Sequence, residues 1–175
     1  VAGKSKPEHG KFPIREDRVD RIEVHVAGIC LREAGKGWKI LAAKRKSSWS
    51  LFPNKWECGG GMVRRGESFQ AAVKRQMFEE FGLTVEPWFI VEAYEISTPR
   101  GQRVIPGVRF VCLCQSPETE VRLNTREFSD FRWLKLPLKE HVDWIGGLDK
   151  TIAKVVTPRL LSKSRREPLP SNQDF

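Results

Sequence analysis

The chain has 175 residues, 39% of them hydrophobic and 30% charged, a composition that suits one soluble globular domain with room for a core. Thirty-one Lys and Arg against 22 Asp and Glu give a formal charge of +9, which favours polyanionic ligands such as nucleotides or nucleic acid. No apolar run approaches the roughly eighteen residues of a membrane span, and no charged-then-hydrophobic leader is visible, so a membrane partner is excluded and a cytoplasmic location is predicted.

Residues 1–20, VAGKSKPEHGKFPIREDRVD, are rich in charge, Gly and Pro without periodicity and read as an irregular arm. The domain itself is assigned to residues 21–160. It opens with RIEVHVAGICL, a strand with Val24, Val26 and Cys30 on one side and His25, Ala27, Ile29 and Leu31 on the other, so apolar that both faces are expected to be buried. In that setting His25 is expected to be a satisfied core histidine. GKGWKILAAKRK is its hairpin partner, turning around Gly35 and Gly37. WSLFPNKWECGGG then forms a loop that ends in three glycines, residues free to adopt backbone conformations closed to others.

A helix follows, starting at Glu67-Ser68 with Ser as N-cap and running to Phe81, where Gly82 stops it. WFIVEAYEIST and VIPGVRFVCLCQ are two further strands joined through PRGQR, and Pro106 suits a strand start or bulge. FRWL is a short strand. LKEHVDWI and LDKTIAKVV, split by Gly146-Gly147, are predicted to be helical, the second with Ile152, Val155 and Val156 on one stripe. The cysteines show no C-x-x-C pair, and Cys112-x-Cys114 on a strand would project both thiols to one face, so reduced, mostly buried thiols are expected. About +4 of the charge excess lies from Lys150 onward, and residues 161–175, with the run SKSRRE, read as a basic solvated tail more than a dedicated nucleic-acid site.

The middle helix carries the chemistry. With about 100° per residue and Phe69 as zero, Val73, Met77 and Phe81 fall at about 40°, 80° and 120°, a core-facing stripe, and Glu80 falls inside it at about 20°. Gln76 and Glu79 lie along its edge. A carboxylate facing a core is costly unless it is paired or bound to metal. Arg75 to Glu79 at i,i+4 also suits an ordinary ion cluster, but the glycine loop in front and Glu67 at the helix start favour a site. Glu67, Glu79 and Glu80 supply hard oxygen ligands of the kind Mg²⁺ or Mn²⁺ requires.

From Gly61 to Leu83 the chain reads GMVRRGESFQAAVKRQMFEEFGL, which resembles the Nudix box of MutT-like hydrolases, G-x5-E-x7-R-E-U-x-E-E-x-G-U with U a bulky aliphatic. Gly61, Glu67, Arg75, Met77, Glu79, Glu80, Gly82 and Leu83 are in register, and Gln76 stands where the family has a glutamate. The resemblance implies an α/β fold, the Nudix α/β/α sandwich with a mixed β-sheet. It implies metal binding by Glu67, Glu79 and Glu80 with the backbone carbonyl of Gly60, structural support from Arg75 and Gly61, and a possible homodimer. The implied activity is metal-dependent pyrophosphohydrolysis of nucleoside diphosphate-linked compounds, a nucleotide or a nucleotide-sugar such as ADP-ribose.

In many relatives the glutamate replaced by Gln76 is the general base, and Gln cannot accept a proton near pH 7. Three explanations stay open: an engineered trap, a base placed elsewhere, or a catalytically degenerate protein that binds nucleotides or RNA. For the second, some Nudix enzymes use a glutamate six residues ahead of a tryptophan, and Glu127 stands six ahead of Trp133, with Asp130 a weaker candidate. Pro99, sixteen positions beyond Leu83, matches the spacing of ADP-ribose pyrophosphatases but also begins an obvious turn. A decapping or dinucleoside-polyphosphate hydrolase is a further variant. Lys44 and Arg45, with Lys46, end a strand near the expected phosphate site and are candidates to clamp a diphosphate. Among Trp49, Phe52 and Trp56, a base-stacking residue is possible, with Trp56 assigned to packing.

Overall fold

The computed structural model describes residues 22–98, 103–115 and 120–155. The N-terminal arm, the PRGQ turn with Pro99, Val156 and the basic tail lie outside the described residues. Seven strands form one mixed sheet: β1 His25–Ala34, β2 Gly37–Arg45, β3 Trp56–Glu57, β4 Gly60–Met62, β5 Val85–Ser97, β6 Val104–Cys114 and β7 Phe128–Lys135. Helix α1, Phe69–Phe81, covers one face and α2, Leu148–Val155, the other, giving the expected α/β/α sandwich.

β1 is the central strand because it is apolar on both faces. It runs parallel to β6 from His25 to Leu31, and its residues Val26 to Leu31 are all buried. Ile29 and Leu31 enter the α2-side core with Ile40, Trp56, Val111 and Ile152. Val26 and Cys30 enter the α1-side core with Val73, Met77, Phe81 and Phe110. Cys112 and Cys114 share that second face, and all four cysteines are free thiols, as the strand spacing predicts. Pro106 pairs with Glu95 of β5 just before pairing to β1 begins at Gly107, so its missing N–H costs the central ladder nothing.

On its other edge β1 has two partners. Leu31–Ala34 pair with β2, whereas His25–Ala27 pair with β4. β2 likewise leaves β1 after Ile40 and takes up β3 at Ala43 and Lys44. The two central strands therefore part, and the segment from Trp56 to Met62 crosses the opening. The stretch expected to be loop thus contains two short strands, and FRWL extends to the full eight residues of β7, which pairs along β2.

The predicted helix over LKEHVDWI does not form. Trp56 N–H donates to Asp143 O and Ile145 N–H to Trp56 O, so β3 takes the backbone groups that a helix would have paired internally. Val142 and Trp144 both pack on the α2-side core. α2 forms as expected and buries Leu148, Thr151, Ile152 and Val155. His25 is satisfied, its Nδ1 2.6 Å from the Tyr94 hydroxyl.

Two predictions follow from this packing. Eight residues are too few for a helix to stand alone, so Ile152→Ala should cost about 2–5 kcal/mol in urea unfolding and release α2 first in hydrogen exchange. Burial, then the Arg109 and Arg45 cations, push the His25 pKa down from 6.5 to about 4. The fold thus prefers neutral imidazole, and stability should fall as pH drops from about 6.5 to about 4. In His25→Gln, the dependence of Tm on pH across that window should flatten.

Candidate functional site

The site is built where β1 and β2 part. Ser68 caps α1, its hydroxyl accepting from the Ala71 N–H, and Gly82 ends the helix in the left-handed conformation at φ 68°. This fixes the rotation of α1 on the sheet and carries Glu80 inward with Met77 and Phe81. Glu80 is 3% exposed, and its Oε2 accepts the Gly60 N–H at 3.0 Å. The glycines ahead of the helix make that approach possible. A Cβ on Gly59, at φ 90°, would lie 2.6 Å from Glu80 Oε2 and 2.4 Å from the Phe81 ring. One on Gly61 would lie 2.3 Å from the Gln76 side-chain amide, so Gln76 is packed directly over the box glycine.

Two further carboxylates act on Glu80. Burial, then the like charges of Glu57 and Glu127, hold the Glu80 carboxyl well above the usual carboxylate range, against the Gly60 N–H and Arg45. Burial likewise raises Glu57, opposed by its ion pair with Arg45. Glu127 is delivered by the turn before β7. Asn124 donates its backbone N–H to Glu80 O at 2.7 Å and its side-chain amide to Glu127 Oε1 at 3.1 Å, so one residue couples the end of α1 to that turn. Asp130 instead accepts from the Phe131 N–H and lies 3.7 Å from Arg132 at the surface, away from this group.

The other box glutamates are held by cations. Arg75 reaches Glu67 through Nε and Nη2, both at 2.8 Å, Glu79 through Nη1 at 3.0 Å, and Met62 O through Nη2 at 3.0 Å. Glu67 also accepts the Arg64 N–H, and Arg75 with that N–H draws its pKa down to about 2. Glu79, 43% exposed, is shared between Arg64 and Arg75. Glu67 and Glu79 thus lie at the rim and Glu80 within. Among the described residues no three acidic, imidazole or thiol groups already converge as a metal cage. The charge arrangement nonetheless fits a hard divalent cation: the charges of Glu57 and Glu127 add to burial in making Glu80 costly to ionise, and a buried oxygen donor in that state is what such an ion relieves.

Of the candidate phosphate-binding residues, Arg45 pairs with Glu57, donates Nε to Leu51 O at 2.8 Å and lies over the Trp49 ring. Lys44 is half-buried and pairs in register with Trp56 and Asp130. Trp56 is core, as expected, while Trp49 and Phe52 remain exposed. Sequence reasoning missed Glu57 and Asn124. An acidic residue between Trp56 and Cys58, both buried, was the available signal for the first, and Asn124-Thr-Arg-Glu127, a side-chain-stabilised turn, for the second.

Because Lys cannot reproduce the forked contacts of Arg75, Arg75→Lys should lower unfolding free energy by about 1–2 kcal/mol. Denaturant titration measures the loss, and amide exchange of residues 62–68 should rise with it.

Residues 22–147 match the NUDIX domain model. The chain is 30% identical over 119 residues to nucleoside triphosphatase NudI of Escherichia coli O139:H28 (strain E24377A / ETEC), covering 64% of this chain and 84% of that protein. Its fold is similar to that of the MutT protein from Methanosarcina mazei Go1, with TM-score 0.61, 20% identity and coverage of 76% and 91%. It is also similar to the NUDIX domain of Shewanella oneidensis NrtR complexed with ADP ribose, with TM-score 0.58, 17% identity and coverage of 79% and 90%. A match across most of the chain, and a glycine loop and capped helix that place Glu80 against Gly60, together make this chain a member of the Nudix family.

Proposed function

We propose that the chain hydrolyses the phosphoanhydride bond of a nucleoside di- or triphosphate or of a nucleoside diphosphate-linked compound. The observation that carries this reading is the Glu80 carboxylate, buried against Gly60 and faced by Glu57 and Glu127. A buried anion with two like charges around it destabilises a domain that has no use for it. NudI supports a nucleoside triphosphate as substrate, and the ADP-ribose held by the Shewanella domain supports a nucleoside diphosphate with a further group attached. Both ligand types share the nucleoside diphosphate portion.

In this reading Glu80, Glu79, Glu67 and the Gly60 carbonyl are the groups that would hold Mg²⁺ or Mn²⁺. Such an ion, when bound, neutralises the diphosphate and lowers the pKa of a coordinated water. The protein's own residues supply the rest. Arg75 holds Glu67 and Glu79 at the rim of the site. Glu127 takes the proton of the attacking water; Asn124 holds one of its oxygens and leaves the other for that task. Gln76, seated over Gly61, orients the water through its amide but does not titrate. Lys44, in register with Trp56 and Asp130, is on the other face of β2 from Arg45 and is left out of this site. Arg45 contributes charge while bound to Glu57, so its part is to set the field of the site and to hold the adjoining loop.

A second reading, a degenerate member that binds nucleotides or RNA without turnover, is favoured by Gln76 and the basic C-terminal sequence. The two are separated by a phosphate-release assay over a nucleotide panel with Mg²⁺. Steady turnover by this chain that is abolished in Glu80→Gln and reduced about 10²–10⁴-fold in Glu127→Gln fits a base at Glu127. Gln76→Glu should then change the rate little. Turnover only in Gln76→Glu would mark a disabled catalyst, and none in either chain, with nucleotide binding intact, would establish the binding protein.

A further inference from the structure

We infer that the β2–β3 loop, residues 46–55, is a nucleobase-stacking platform formed by Trp49 and Phe52, so that the ligand is recognised as a nucleoside polyphosphate and not as a bare phosphate chain. The inference rests on the reading of the adjoining carboxylate cluster as a phosphate site.

The loop is fastened to that cluster at several points. Lys46 N–H donates to Glu127 O at 2.9 Å, tying its start to the turn that carries Glu127. Arg45 N–H donates to Lys55 O at 2.9 Å, closing its two ends on each other. Arg45 then reaches into the loop, donating Nε to Leu51 O at 2.8 Å while its guanidinium holds Glu57. The same guanidinium lies over the Trp49 ring, 5.5 Å from its centroid. Trp49 is therefore one side chain away from Glu57, and Glu57 acts directly on Glu80.

The aromatic residues themselves are placed as a globular fold alone would not place them. Trp49 is 37% and Phe52 40% exposed, two large rings open to solvent within one short loop. The other exposed large apolar side chains among the described residues are Ile22, Phe69 and Phe78 at opposite ends of α1, Ile90 and Val104, none of them paired within a single turn of chain as Trp49 and Phe52 are. Phe52 also sits at φ 52°, in the left-handed region that bulky side chains avoid. Its backbone is unfavourable and two-fifths of its surface stays in water, so packing offsets the cost of the conformation only in part. Asn54, also left-handed at φ 62°, sharpens the return of the chain to β3. A planar base has a π-face for such rings whatever its hydrogen-bonding edge, so the platform accepts purines and pyrimidines, the larger rings more tightly.

The test compares ligands with and without a base. Affinities for a methylene-bridged, non-hydrolysable adenosine triphosphate and for inorganic tripolyphosphate are measured by calorimetry with Mg²⁺, alongside steady-state hydrolysis of ATP and tripolyphosphate. In Trp49→Ala and Phe52→Ala the nucleotide should bind about tenfold more weakly, with KM raised and kcat within about twofold, while tripolyphosphate is unaffected. Trp49→Phe should restore nucleotide affinity. Phe52→Gly relieves the backbone, so it should raise Tm and still weaken the nucleotide. Equal weakening of both ligands, or none, overturns the inference. If the unsubstituted chain shows no hydrolysis but its nucleotide affinity still depends on Trp49 and Phe52, the hydrolytic reading fails and the platform stands.

Discussion

A carboxylate buried beside the backbone of a glycine loop is the constraint around which this domain is arranged. Glu80 occupies a position on α1 that packing alone would give to an aliphatic side chain, and the fold compensates it only in part, with the Gly60 N–H and the charge of Arg45. Around it the structure adds carboxylates, Glu57 and Glu127, whose effect outweighs that of Arg45, where a fold selected for stability would add further cations. Each local feature nearby has a role in keeping that group in place. Gly59 leaves room for the Glu80 carboxyl and the Phe81 ring, and Ser68 and Gly82 set where α1 starts and stops, hence which side chains turn inward.

The sheet provides the opening. β1 and β2 pair over only a few residues before parting, and the crossing segment fills the gap by pairing β3 with β2 and β4 with β1. This places the glycine loop and Glu57 at one point, against the end of α1. Two arginines then organise the charge. Arg75 gathers Glu67 and Glu79 at the rim, and Arg45 joins Glu57 to the β2–β3 loop. The interior of the site keeps an excess of negative charge while its margins are neutralised, an arrangement that draws a cation inward and leaves polar groups at the mouth for an anionic ligand.

Much of this was legible in the chain. The strand RIEVHVAGICL is apolar on both faces and became the central strand; Ser68 and Gly82 marked the ends of α1; the helical period put Glu80 among Val73, Met77 and Phe81. These are local regularities, and the three-dimensional structure keeps them. The segment 138–145 shows where local reading fails. Its polar and apolar residues are compatible with a short helix, but β3 offers the Trp56 backbone groups as partners, and a pairing between residues far apart in the chain has no local signature.

The sequence by itself determined the family box, the two-sided core strand, the caps of the helix and the inward turn of one glutamate, because each follows from spacing along a single regular element. Only the tertiary structure decided that Glu57 and Glu127, from separate segments, would face Glu80, that Asn124 would hold two of the three in relation, and that Arg45 would be spent on Glu57 and the loop. The electrostatics of the site arise from charges brought together by the sheet and its turns, and the distance between such charges is not a function of their separation in sequence.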